Sequence, residues 1–171
     1  EKLTEPEPYV AIPAIQQLSY SFDSEVLREM YANLLIASMN IDTKWDVHPS
    51  FVEIIKQLTP REAIFLNYLK EYRKALIDYE FLFEEYGGFY GQNLIAVSDS
   101  FGAEDITLYI NNYIRLGVFE KVLSNRDSCI TEFKEVEEIA IEECKASMEE
   151  DYERQFTHEE LSQALRCNYY W

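Results

Sequence analysis

The sequence has little glycine, proline, cysteine, histidine and positive charge. Its 171 residues include five Gly, five Pro, three Cys and two His, and 15 Lys and Arg oppose 32 Asp and Glu, for a formal net charge of −17. With 47% hydrophobic residues, this composition provides enough apolar material for one packed domain or two small ones and excludes a disordered chain. The shortage of positive charge opposes non-specific binding to nucleic acids and to anionic membranes, because both present negative charge.

The sequence also lacks long apolar runs and cysteines at the spacings typical of metal-binding sites. No stretch approaches about 18 consecutive apolar residues, so the sequence predicts no membrane span. Cys129, Cys144 and Cys167 lack metal-ligand spacing and do not form a disulfide framework, which is typical of reduced thiols in a cytoplasmic protein. We therefore predict a cytoplasmic location, with no metal and no cofactor. The chain begins at Glu1 without a signal peptide, and we expect it to be cut from a longer protein.

Helix signals dominate the first third of the chain. We interpret residues 1–12 as a linker, and Pro13 as the start of a short helix. Asp23 is the predicted N-cap of an amphipathic helix, and His48-Pro49 begins another short helix. Residues 13–58 are therefore predicted to form an N-terminal helical part.

The remainder begins with a capping box, Thr59-Pro60-Arg61-Glu62. A stripe of apolar residues at steps of three and four continues to Phe83, which predicts one long helix that ends at Gly87-Gly88. A helix over 103–116 and a strand over 118–123 are predicted next. This order of elements is that of a winged-helix unit.

The predicted fold class is mainly α, with a helical N-terminal half followed by a winged-helix-like unit that has a small β element. Residues 59–171 form this second part, including an acidic C-terminal helical extension from Ile130 and a short helix that a capping box begins at Thr157. A single compact domain over 13–171 is the alternative division.

Residue types that could carry catalysis are few. The acidic stretch 132–160 could hold a divalent cation, but a solvated helix face explains it better, because such sites need ligands from several elements. His158 can be paired with Cys144 or Cys167, but the sequence shows no oxyanion-hole signature. We therefore predict no enzyme, and keep a metal-dependent hydrolase as the second alternative.

An aromatic-rich run lies between Asp78 and Tyr90. It could stack nucleic-acid bases, but acidic residues are interleaved and no Lys or Arg is present to meet phosphates. Core packing or a protein contact is favoured, and the predicted protein-contact residues are Tyr86, Phe89 and Tyr90. The first alternative, a winged-helix regulator that binds nucleic acid, requires basic residues to gather on one face: Arg61, Lys70, Arg73 and Lys74.

Two motifs resemble a known family. The runs LREMYANLL at Leu27–Leu35 and HPSFVEIIKQL at His48–Leu58, preceded by Ile12-Pro13-Ala14-Ile15, are similar to the Abi-alpha (abortive infection alpha) family of bacterial proteins. Leu116-Gly117-Val118 is similar to a later family segment. The family-signature residues are Asn33, Leu34, Leu35, His48, Pro49, Phe51, Leu58 and Pro60. All of them have structural interpretations except Asn33.

The resemblance implies a role in bacterial defence against phage. No catalytic residue is established for the family, so the resemblance assigns none to this chain. We therefore expect a non-enzymatic interaction or sensing domain of an abortive-infection-type protein. Its contacts would be with another protein or with a second copy of itself, as a homo-oligomer.

Overall fold

The computed structural model describes residues 3–71, 76–83, 87–95, 101–122, 130–152 and 155–170. The chain divides into two compact units, Glu1–Tyr72 and Arg73–Trp171. The described residues form seven α-helices, one 3-10 turn and one three-stranded antiparallel sheet. The predicted fold class, mainly α with a small β element, is confirmed. Among these residues, no helix is both long enough and apolar enough to cross a membrane.

The first unit is helical. Its elements are α1 (Pro8–Tyr20), α2 (Glu25–Met39), a 3-10 turn (Lys44–Asp46), α3 (Ser50–Lys56) and α4 (Pro60–Glu71). Helix α2 contacts each of the other three α-helices. The buried side chains at their contacts form one core: Val10, Ala14, Tyr31, Leu34, Val52 and Ile55.

Two helices of this unit begin at other residues than predicted. Helix α1 begins at Pro8, within the predicted linker 1–12, because a proline is well tolerated in the first turn, where its missing N–H costs no hydrogen bond. Pro13 lies inside the helix instead of starting it. Ser24, not Asp23, caps α2, since its Oγ accepts a hydrogen bond from the backbone N–H of Leu27 at 3.4 Å.

The capping box at Thr59 is confirmed, but the long helix after it is wrong. The Thr59 N–H donates to Glu62 Oε2 at 2.6 Å, and the Glu62 N–H donates to Thr59 Oγ1 at 3.2 Å. Helix α4 ends at Glu71, and residues 76–83 form a strand. Helix α4 contacts α2 and lies in the first unit, although the sequence-based division after Leu58 placed it in the second part.

The second unit combines the sheet with three helices. The strands are β1 (Leu76–Phe83), β2 (Gly87–Ile95) and β3 (Leu165–Tyr170), and the helices are α5 (Ala103–Arg115), α6 (Ile130–Tyr152) and α7 (His158–Ala164). The strand order is β2-β1-β3. Phe81 in the central strand lies opposite Phe89 and Leu165, so strands distant in sequence are paired.

The core of the second unit lies between β1 and α6. Alternate residues of β1, namely Ile77, Tyr79 and Phe81, are buried on one face, as the two-residue period of a strand requires. Helix α6 contributes Phe133, Ile141 and four buried residues at a regular four-residue spacing: Val136, Ala140, Cys144 and Met148. Leu161 of α7 completes this core.

The strand predicted over 118–123 does not form in its described part. Residues 118–122 have no regular structure, although Gly117 before them has φ +72°, as expected of a glycine that ends a helix. The short helix predicted after the capping box at Thr157 ends at Ala164, and β3 follows it directly. The sheet is therefore built from 76–83, 87–95 and 165–170, and the winged-helix arrangement receives no support from the strands.

Candidate functional site

The family-signature residues of α2 are divided between the core and the surface. Leu34 is buried, and Leu35 is half-buried against the same core. Leu58, between α3 and α4, is buried as well. Asn33 is exposed, and no packing role follows from its position. The apolar members of this motif therefore stabilise the first unit.

The signature residues around α3 build the start of that helix. The Ser50 N–H donates to His48 Nδ1 at 3.1 Å, and Ser50 Oγ lies 2.8 Å from the same nitrogen. Pro49 is the N-cap residue, and Pro60 begins α4. The rings of Phe51 and His48 are in edge-to-face contact, with 6.4 Å between their centroids, and Phe51 is 40% exposed.

The aromatic residues that were predicted to contact a protein are also divided between the core and the surface. Phe89 is half-buried against Tyr79 and Phe81, with 6.2 Å between ring centroids in each pair. Tyr90, the next residue, points to the opposite face of the sheet and is 76% exposed. Tyr86 lies outside the described residues. One exposed aromatic therefore remains in the described part of this segment.

The sheet face that carries Tyr90 has a shallow cavity of about 340 Å³. Its lining includes Asp78, Glu80 and Arg166. Lys121 Nζ binds both carboxylate oxygens of Asp78, at 2.8 and 2.9 Å. Because this pair is only partly exposed, it fixes the segment after α5 to the sheet.

The closest approach to a catalytic arrangement surrounds His158. Its Nε2 lies 2.7 Å from Glu138 Oε2, and its Nδ1 lies 3.2 Å from Ser162 Oγ. Glu138 and Ser162 also line a cavity of about 380 Å³ together with Cys167. His158 and Glu138 are mostly exposed, so water competes for these hydrogen bonds, and the contact chiefly joins α7 to α6. Glu138 belongs to the predicted acidic stretch, but only the fold brings it to His158.

Cys144, one of the two cysteines considered as a nucleophile beside His158, is not accessible to solvent. Cys144 is fully buried in the core of the second unit. Burial raises the pKa of its thiol to about 11, so the thiol stays protonated and unreactive at neutral pH. Across the residues described, no group of three or more His, Cys, Asp or Glu could hold a metal ion.

The basic residues needed for nucleic-acid binding are only partly described. Arg61 and Lys70 are exposed near opposite ends of α4. Arg73 and Lys74 lie outside the described residues. The described residues therefore do not assemble the predicted basic face.

A surface that the sequence analysis missed lies on α1. No residue of Pro8–Tyr20 is charged, and four large side chains point away from the core: Tyr9 is 57% exposed, Ile12 56%, Ile15 58% and Tyr20 83%. We call these four residues the α1 face. Eleven residues, or about three helical turns, separate Tyr9 from Tyr20, so both lie on the same side. The available signal was that α1 has no charged residue, which is unusual for a helix at a surface.

The comparisons with known proteins identify the family. No curated protein and no solved structure matched the chain. A family model described as abortive infection alpha matches residues 1–165, which spans both units and confirms the resemblance of the sequence motifs. The chain belongs to the abortive infection alpha family and is an abortive-infection-related protein.

Proposed function

We propose that this chain is a non-enzymatic interaction or sensing domain that acts in phage defence, in the bacterial cytoplasm, through protein–protein contacts. The observation that supports this proposal is the α1 face. Soluble proteins rarely expose apolar patches larger than a few hundred Å², and larger ones mark interaction sites. An uncharged helix with four exposed large side chains, in a chain of net charge −17, fits such a site.

The acidic charge and the side-chain chemistry favour a protein partner. Tyr and Ile combine large contact area with little desolvation cost, and aromatic residues are enriched at protein interfaces. A nucleic-acid partner would need phosphate contacts from Lys or Arg, and α1 has neither. The exposed contact between His158 and Glu138 has a structural role in this proposal, because it joins α7 to α6, and Ser162 contacts His158 within α7.

The proposal is tested by phage plating on bacteria that carry the gene with defined substitutions. The double variant Ile12→Glu, Ile15→Glu puts two charges at the centre of the α1 face, and we expect it to lose protection. The double variant His158→Ala, Ser162→Ala removes the histidine-centred cluster, and we expect protection to remain. Protein amounts are compared by immunoblot. Protection that depends on His158 and Ser162, but not on the α1 face, would refute the proposal in favour of catalysis.

A further inference from the structure

The α1 face has two properties that bear on its partner: it is uncharged, and its large side chains are distributed evenly along the helix about its middle. Ile12 and Ile15 lie on either side of residue 14, the midpoint of α1, and a tyrosine stands toward each end. A two-fold rotation about the middle of the helix would therefore bring isoleucine against isoleucine and tyrosine against tyrosine.

From these properties we infer that the α1 face binds the α1 face of a second copy of the chain, with the two helices antiparallel. This inference rests on the proposed function and names its partner. Ile12 and Ile15 of the two copies pack at the two-fold axis. Tyr9 of each copy then lies beside the end of α1 that carries Tyr20 in the other copy. The antiparallel order also sets opposite ends of the helix dipoles side by side, which is favourable.

The area of the face is sufficient to contribute most of a small interface. With Phe22, which is also strongly exposed just after α1, the exposed side chains offer roughly 600 Å². A stable interface of ordinary size buries about 800 Å² on each partner. Gln16 and Ser19, one helical turn after Ile12 and Ile15, are exposed between these side chains and supply polar contacts within the interface.

Charge favours this surface over the rest of the molecule. Two chains of −17 repel each other wherever their acidic surfaces approach. Helix α1 gives 13 consecutive uncharged residues, whereas Glu5 and Glu7 precede it and Asp23 follows it. Antiparallel pairing brings these end charges of the two copies together. Association should therefore strengthen with salt, since salt screens this repulsion and leaves the apolar contact intact.

The inference is tested by sedimentation velocity on the whole chain over a range of protein concentrations, at about 50 and 500 mM NaCl. We expect a monomer–dimer equilibrium, at least about threefold tighter at the higher salt. In the variant Ile12→Glu, Ile15→Glu we expect dimerisation to weaken at least about tenfold. Circular dichroism checks that the variant keeps its helical content.

A matched control separates the position of the charges from their number. The variant Ile36→Glu, Leu108→Glu adds the same two charges at residues that are 63% and 66% exposed on α2 and α5. We expect its dimerisation to stay within about twofold of the unmodified chain, because both sites lie off the α1 face. An equal loss of dimer in both variants would overturn the inference.

The orientation of the helices is tested separately. Replacing Tyr9 by the photo-crosslinker benzoylphenylalanine should join one copy to residues near Leu18–Tyr20 of the other, as mapped by mass spectrometry. Crosslinks confined to any other segment would overturn the antiparallel arrangement.

Two results would overturn the inference and still distinguish it from the proposed function. A chain that is monomeric at both salt concentrations has no second copy as its partner. If the monomer floats with phosphatidylcholine vesicles through Ile12 and Ile15, the α1 face binds lipid instead. If protection is nevertheless lost in Ile12→Glu, Ile15→Glu and no vesicle binding occurs, the proposed function stands and its partner is a different protein.

Discussion

Tyr31 lies in the core of the first unit and is only 1% exposed. Burial, and secondarily the nearby carboxylate of Glu53, raises the pKa of its hydroxyl to about 12. In the unfolded chain a tyrosine ionises at a pKa of about 10. The native state therefore holds this proton over a pH range in which the unfolded state releases it.

The pH dependence of stability follows from this difference. The contribution of Tyr31 is fully present below about pH 10 and is lost as the pH rises to about 12, because only the unfolded state gains free energy by ionising there. We expect the free energy of unfolding to fall by about 2–3 kcal/mol more over this range in the unmodified chain than in Tyr31→Phe. Urea unfolding at pH 9, about 10, about 11 and about 12 measures it. Parallel curves for the two proteins would contradict this expectation.

At the scale of elements, capping residues were predictable and the identity of β1 was not. The capping boxes at Thr59 and Thr157 begin α4 and α7 where the spacing placed them, because a capping box needs only residues within one turn. The stripe that continues through Leu76, Tyr79 and Phe83 fits a helix, but Ile77, Tyr79 and Phe81 also fit a strand. Pairing with β2 and β3 decides between them, and β3 is more than 80 residues away in the sequence.

The candidate site, like the elements, was predictable only where neighbouring residues in the sequence determine it. The aromatic segment near Phe89 was found from composition, but the alternation that buries Phe89 and exposes Tyr90 depends on the strand. The contact between His158 and Glu138 joins two helices and leaves no local sequence signal. The sequence does not predict the α1 face, because Pro13 fits the start of a helix and Tyr9 and Ile12 then fall in a linker.

A substitution at Gly91 in β2 tests how closely Tyr79 packs against this strand. A Cβ atom at this residue would lie 2.5 Å from the Tyr79 hydroxyl oxygen, and Tyr79 is held in place by donating to Glu143 Oε2 at 2.7 Å. Gly91→Ala must therefore displace a buried ring. We expect it to lower the free energy of unfolding by about 1–3 kcal/mol.

The same strand supplies the control for this prediction. At Gly88 the nearest atom to an added Cβ is the Phe81 carbonyl oxygen at 3.6 Å, an ordinary contact distance. We expect Gly88→Ala to change the free energy of unfolding by less than about 1 kcal/mol. Urea denaturation of the three proteins compares them. Equal destabilisation by both substitutions would show that Tyr79 does not fill the space beside Gly91.

At the scale of the whole molecule, charge was the property most directly available from sequence. A net charge of −17 on 171 residues makes the compact state repel itself. Surface ion pairs such as Glu53–Lys56 and Lys145–Glu149 each contribute only about 0.3–0.5 kcal/mol. We therefore expect the repulsion between like charges to outweigh the attraction within ion pairs. The apolar core of each unit opposes this repulsion.

Salt should consequently stabilise the chain. Because screening weakens the long-range repulsion of the net charge more than it weakens close ion pairs, we expect the free energy of unfolding in urea to rise by about 1–2 kcal/mol between about 20 and 500 mM NaCl. The variant Glu135→Lys, Glu142→Lys changes two exposed residues of α6 and reduces the charge by four, from −17 to −13. Its salt dependence should be shallower, measured at a protein concentration at which neither chain dimerises. A fall in stability with salt would show instead that attractive pairs, such as Asp78 with Lys121, control the electrostatic energy of the fold.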